Sequence, residues 1–166
     1  FGVEGAKHFG PSFALLCNLR DLNLCLNKLQ AEGMKALEFR HLRRLRHLDL
    51  SSNQLGSEGG AILGRLFQQG TCTGLQTLNI ASNDFGVEGG LALGTSLQHI
   101  RGLETLNLRA NELRSEGGDA LKPSLLLLTN LKVLDMSDNC MAAASAQEIG
   151  ALLSHVDQLL LDQRRD

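Results

Sequence analysis

Apolar residues recur along this chain in a two-part pattern that neither a helix nor a strand makes alone. Five segments align without gaps: LRDLNLCLNKL from Leu19, LRHLDLSSNQL from Leu45, LQTLNIASNDF from Leu75, LETLNLRANEL from Leu103 and LKVLDMSDNCM from Leu131. They share L-x-x-L-x-L-x-x-N-x-L, and their starts lie 26, 30, 28 and 28 residues apart. The fourth and sixth positions are two residues apart, so both point to one face of a strand. After each such segment the period changes. Gly56-Ser57-Glu58-Gly59-Gly60, Gly86-Val87-Glu88-Gly89-Gly90 and Ser115-Glu116-Gly117-Gly118 precede apolar residues at helical spacing, with Ala31-Glu32-Gly33 as a worn copy. The spacing predicts buried helical stripes of Ala61, Leu63 and Leu66, and of Leu91, Ala92, Leu93 and Leu97. The glutamate sits where each helix begins, facing the positive end of the helix dipole, which is worth about 0.3–1 kcal/mol. The glycines suit close backbone packing or a positive φ at the turn.

A repeated asparagine follows each strand at a fixed place: Asn27, Asn53, Asn83, Asn111 and Asn139. Its amide can satisfy backbone groups of a turn that burial would otherwise leave unpaired, so stacked copies form an asparagine ladder. The array reads as one domain over 1–166. A partial repeat covers 1–18, since FGVEGA at 1–6 matches FGVEGG at 85–90. Full repeats start at 19, 45, 75, 103 and 131, and a terminal half repeat covers 156–166 with Arg164 in the asparagine slot. Gly70-Thr71-Cys72-Thr73-Gly74 lengthens one repeat and is expected to bulge between helix and strand. Met141-Ala142-Ala143-Ala144-Ser145 replaces the glycine element in the last full repeat, as a capping repeat would. On this reading the carboxyl end closes the array, while the amino end is uncapped and offers a surface for self-association.

These motifs resemble the leucine-rich repeat family, in its ribonuclease-inhibitor-like subtype with a long helical half and the x-G-x-E-G-G element. The resemblance implies an α/β solenoid bent into a horseshoe arc, with a parallel β-sheet on the concave face and helices on the convex face.

Composition narrows the function. Leucine accounts for 36 residues against four valines and four isoleucines, unlike an ordinary parallel sheet. The net charge of −2 argues against a nucleic-acid partner or an anionic membrane, and the longest run of leucines, Leu125 to Leu128, is far too short to span a bilayer. Cys17, Cys25, Cys72 and Cys140 match no zinc spacing, and no asparagine lies in a glycosylation sequon, which favours a reduced, cytoplasmic chain. No P-loop, G-x-G-x-x-G, G-x-S-x-G or H-E-x-x-H occurs, so neither a cofactor, a metal nor a catalytic residue is expected.

What remains is surface. The strand positions that flank the core leucines face outward. Asp21, Asn23, His47, Asp49, Asn79, Asn107, Arg109 and Asp135 are the candidate partner-binding residues of a polar, mildly acidic concave face. Two readings of this stripe stand: a recognition surface for a protein partner, or the repeat's habitual Asx serving the fold. Trp and Tyr are absent, and all six Phe occupy helix or turn slots that read as core, which leaves His47 and Arg109 as the strongest handles. Arg40, Arg43, Arg44 and Arg46 form a candidate basic patch for phosphate, acidic peptide or RNA; its plainer reading is a solvated loop. The resemblance implies a non-catalytic protein-interaction module within a larger intracellular protein such as a NOD-like immune receptor. The family also contains Ran-type GTPase activators and ribonuclease-inhibitor-like enzyme inhibitors. One stability prediction follows from the ladder: Asn83→Ala lowers unfolding free energy by about 1–3 kcal/mol, because it orphans buried polar groups. A denaturant titration with an unchanged midpoint would reject that role.

Overall fold

The structure, a computed structural model, describes residues 1–162. Six three-residue strands make one parallel sheet in chain order: β1 (Asp21–Asn23), β2 (His47–Asp49), β3 (Thr77–Asn79), β4 (Thr105–Asn107), β5 (Val133–Asp135) and β6 (Gln158–Leu160). The register has no offset, so Leu22, Leu48, Leu78, Leu106, Leu134 and Leu159 lie side by side. The helices α1 (Gly2–Phe9), α2 (Gln30–Ala36), α3 (Gly56–Gln68), α4 (Gly86–Gly94), α5 (Arg114–Leu127) and α6 (Ala143–Leu152) alternate with them. Short 3-10 turns at Gly10–Leu15, Phe39–His41 and Leu97–His99 lead back toward the sheet. The result is an α/β solenoid with the strands on the concave side. None of its described helices is long and apolar enough to cross a membrane.

One continuous core runs through the stack. Leu78, Ile80, Leu106, Leu108, Leu134 and Met136 are fully buried, each pair contributed by one strand and covered by its neighbours. Beside this apolar file runs a polar one. Asn53, Asn83, Asn111 and Asn139 are all fully buried. The Asn83 side-chain nitrogen reaches the carbonyls of Leu50 (3.0 Å), Ile80 (3.1 Å) and Ala81 (3.1 Å), and its Oδ1 accepts the Asn53 N–H at 2.9 Å. Asn111 and Asn139 repeat this with their own neighbours. Each asparagine therefore bonds its own turn to the turn before it. Asn27, half-buried at the first turn, gives its N–H to Asn53 Oδ1 (3.1 Å), and its side-chain nitrogen reaches the Cys25 carbonyl of its own turn (3.0 Å). At the other end Asp162 closes the ladder, its two oxygens accepting the N–H groups of Asn139 (2.9 Å) and Met141 (2.6 Å). The sequence pattern places Arg164 in that slot; Arg164 lies outside the described residues, and a carboxylate two positions earlier takes the work.

The turn that wraps each asparagine is left-handed at alternate residues: Ser52, Gln54 and Gly56, then Ser82, Asp84 and Gly86, then Ala110, Glu112 and Arg114, with φ between 54 and 62°. That conformation costs an L-residue roughly 1–2 kcal/mol, and the bonds of the ladder hold the chain there.

The paired glycines perform a different task. A Cβ on Gly60 would lie 2.8 Å from Gly89 Cα, and one on Gly90 would lie 2.8 Å from Gly117 Cα. Neighbouring helices thus touch backbone to backbone. This corrects the expected helical stripes. In α3 the buried residues are Gly59, Gly60, Ile62, Leu63, Gly64 and Phe67, with Leu66 only half-buried; in α4, Leu91 is 44% exposed. Helices this close leave no room between them for large side chains.

Two further segments take a definite form, and the all-core reading of the phenylalanines is corrected. The Gly70 segment is a turn over 69–74, with Thr71 and Cys72 buried and Thr73 and Gly74 exposed. Gly70, at φ +73°, ends α3 with its N–H on the Phe67 carbonyl and the Thr71 N–H on that of Leu66, the bond pair of a Schellman stop. α3, at 13 residues, is no longer than α5 at 14, so the extra length lies in the turn that follows it, where Cys72 fills the core slot of Leu42. Within Leu125 to Leu128, the outer two are buried, whereas Leu126 and Leu127 are more than 40% exposed, as helical rotation requires. Phe1 and Phe9 are 56% and 39% exposed, whereas Phe85, in the same Phe-Gly-Val-Glu-Gly context as Phe1, is fully buried. No described strand pairs with the outer edge of β1, and the two rings stack edge-to-face in a chain that runs through Phe13 to Phe39.

Arg114 occupies the left-handed slot that Gly56 and Gly86 fill in other repeats. Arg114→Gly removes strain of roughly 1–2 kcal/mol at an entropic cost of about 0.5–1 kcal/mol. The variant is expected to be more stable by about 0.5–1 kcal/mol in a denaturant titration; a lowered midpoint would show that the turn is unstrained.

Candidate functional site

The in-register strands set the concave face. Residues before and after each central leucine point away from the core, so Asp21, His47, Thr77, Thr105, Val133 and Gln158 form one row across the sheet. Asn23, Asp49, Asn79, Asn107, Asp135 and Leu160 form a second. Asp21, Asn23 and His47 are exposed, and the middle residues are half-buried in a groove of about 450 Å³ that spans β1 to β4. Gln158 and Leu160 were not legible as part of this face, because the sixth copy of the repeat is incomplete in sequence; Leu160 adds an apolar patch, 42% exposed, at the far edge.

The second row has a structural duty. Each Asx accepts a hydrogen bond from the backbone N–H two residues on: Asn23 from Cys25 (2.9 Å), Asp49 from Ser51 (2.9 Å), Asn79 from Ala81 (3.2 Å), Asn107 from Arg109 (3.0 Å) and Asp135 from Ser137 (2.9 Å). Local bonds of this kind let Asn and Asp stop a strand and start a turn. The habitual-residue reading therefore has a mechanism, yet it uses only one side-chain atom per residue. Asn23, Asp49, Asn79 and Asn107 line the groove, and the turn bond leaves their other atom over. Asn79 gives its amide nitrogen to Asp49 Oδ2 at 3.1 Å. The nitrogens of Asn23 and Asn107 and the second oxygen of Asp135 have no protein partner among the described residues.

Both proposed handles already face a carboxylate. His47 Nε2 lies 3.8 Å from Asp21 Oδ1. Arg109 points Nε and Nη2 at Asp138 Oδ2, each at 2.8 Å, so it is bound to the turn after β5. Asp138 was not singled out in sequence, since the contact spans one repeat and sits outside the strand pattern.

The basic run is divided by the fold. Arg40 and His41 both approach Glu38 Oε2, at 2.9 and 3.3 Å. Arg43, Arg44 and Arg46 are exposed and form no ion pair among the described residues. Arg20 joins them, since its carbonyl accepts the N–H groups of Arg46 (2.8 Å) and His47 (2.9 Å). Aligning the repeats would have revealed it, because Arg20 and Arg46 occupy the same slot.

Elsewhere the chemistry is quiet. Burial pushes the Cys72 thiol up to about 12, so it stays protonated, and all four cysteines are free thiols. Lys122 bridges Glu148 and Asp119 on the helix side; bonds to them raise its pKa, while a bond from Ser145, ahead of that from Lys122, lowers that of Asp119. This network ties α5 to α6. No group of three metal-ligating side chains gathers among the described residues.

The sequence model described as "Leucine Rich repeat" matches residues 16–37, 41–63, 71–94, 99–122 and 128–150, together well over half of the chain. The chain belongs to the leucine-rich repeat family. No curated protein matches it. Among solved structures, this leucine-rich repeat chain is similar to the tropomodulin C-terminal domain from Caenorhabditis elegans, with a TM-score of 0.67 at 14% identity, over 92% of this chain and 91% of that one. At that identity the likeness is one of fold. Family members of this kind are generally protein-interaction modules, and the concave sheet described above is the surface such a fold presents.

Proposed function

We propose that this leucine-rich repeat chain is a non-catalytic recognition module that holds a protein partner against its concave groove. The observation that carries the reading is the unspent half of the Asx row. Beyond the bond between Asn79 and Asp49, the fold leaves the amide nitrogens of Asn23 and Asn107 facing a groove floored by the small Thr77 and Thr105, with the second oxygen of Asp135 on the strand beside it. Amide donors beside carboxylate acceptors suit a polar peptide backbone or an amide-rich side-chain set. The x-G-x-E-G-G style of the helical halves supports the ribonuclease-inhibitor-like subtype and a parent similar to NOD-like receptors. The four free thiols are consistent with a cytoplasmic setting.

Area limits what the groove can do alone. Strands of three residues run about 10 Å, and six of them span about 24 Å, a face of roughly 240 Å². A standard interface buries about 800 Å² per partner. A tight complex must therefore extend past the sheet onto the flanking loops.

Thr105→Arg places a long charged side chain on the groove floor. With the whole chain as bait, the variant is expected to lose at least about tenfold of its captured partner, a penalty of about 1.4 kcal/mol. Glu88→Arg, on the exposed side of α4, is expected to keep it. Equal capture by Thr105→Arg, or loss only with Glu88→Arg, would move the site to the helices. Assays of GTP hydrolysis and of ribonuclease inhibition on the same protein separate this role from the family's other two.

A further inference from the structure

The loops that enter β1 and β2 carry four arginines that the fold does not use. Arg20 and Arg46 hold the same slot in consecutive repeats, and the bond from the Arg46 N–H to the Arg20 carbonyl sets them one strand apart, about 4.8 Å. Arg43 and Arg44 sit in the turn just before, closed by the Leu45 N–H on the Leu42 carbonyl at 3.3 Å. All four are exposed, and none pairs with a carboxylate among the described residues. Arg40 is not part of the group, because Glu38 holds it.

The rest of that row shows what the fold tolerates. The slot of Arg20 and Arg46 is filled next by Gln76, Glu104 and Lys132, and where charges meet there they are opposite, with Lys132 on Glu104 at 2.6 Å. Like charges on adjacent strands destabilise a sheet. The turn slot of Arg43 and Arg44 is flanked by Cys17-Asn18 and Thr73-Gly74, which carry no acid to quench it. A repulsive cluster that the repeat does not need is better explained by a ligand than by packing.

We propose that Arg20, Arg43, Arg44 and Arg46 form a docking site for an acidic segment of a partner protein, a short run of Asp and Glu. Guanidinium groups take carboxylates through two parallel hydrogen bonds, and clustered forks fix a carboxylate run in place. The size and surroundings of the cluster select this partner. No aromatic side chain belongs to it, so it offers no platform for bases. The chain carries a net charge of −2, and the exposed Asp21 borders the arginines, so a long nucleic acid or an anionic membrane meets repulsion just outside them. A short acidic segment meets only the arginines. Asp21 and His47 follow Arg20 and Arg46 directly in sequence, so this site adjoins the concave face without depending on it for its argument.

The test is fluorescence anisotropy with a labelled octaglutamate peptide and the whole chain. Saturable binding is expected, weakened about tenfold by the double variant Arg44→Ala/Arg46→Ala and several-fold on raising salt from about 0.05 to about 0.2 M. Arg40→Ala and Arg109→Ala, cations already paired elsewhere, are expected to bind within about twofold of the parent chain. The melt of the double variant should match or exceed that of the parent, since like charges are removed; Arg43→Ala/Arg44→Ala, confined to the turn, serves if it does not. Absence of saturable peptide binding, equal weakening by Arg109→Ala, or tighter binding to an eight-nucleotide RNA or to phosphatidylserine vesicles at the same salt would overturn the proposal. Thr105→Arg leaves the arginines in place, so the groove and this site fail separately.

Discussion

A stacked repeat must turn its chain from strand to helix inside the molecule, where no water reaches the backbone. That requirement governs the structure. Unpaired buried carbonyls and N–H groups cost on the order of 1–3 kcal/mol each, and every repeat brings several of them to the same place. A single asparagine resolves them, with an amide nitrogen for carbonyls and an amide oxygen for the N–H of the previous turn. Because one of those bonds always crosses to the neighbouring repeat, the same residue that completes a turn also fixes its distance from the next. The aligned register of the strands and the backbone-to-backbone approach of the helices at Gly60 and Gly90 both fit that fixed spacing.

The parts of this arrangement that sequence reveals are those carried by period. The leucines that line one side of each strand, the asparagine after it, and the glycine pair that admits a neighbouring helix all recur at a constant offset. What period does not reveal depends on the neighbouring repeat or on the end of the array. Leu91 occupies a slot that helical spacing assigns to the core, yet glycine contacts displace it to the surface. Phe1 repeats the local sequence around Phe85 and has the opposite exposure, because local sequence does not state whether a strand lies alongside. Asp162 closes the ladder with chemistry different from asparagine's and from two residues off the expected position, so no alignment of the motif finds it.

The candidate site follows the same division. The concave rows were legible because strand alternation fixes which side chains face outward. Their structural duty was not, since the bond from each Asx to the N–H two residues on exists only in the folded turn. Arg109 looked like a free handle in sequence and is bound to Asp138 from the next repeat. Arg20 lies outside the basic run in sequence, and strand pairing brings it there from the repeat slot it shares with Arg46. Function on this scaffold therefore rests on residues that the repeat leaves over, and these are identified only after its own hydrogen bonds are assigned.

The central claim is that the asparagine ladder holds the stack together. Native-state amide hydrogen exchange tests it residue by residue. The backbone N–H groups of Asn53, Asn83 and Asn111, each donated to the next asparagine's Oδ1 at 2.9 Å, should exchange as slowly as the most protected strand amides. Fast exchange at these three positions, with the strands still protected, would contradict the account.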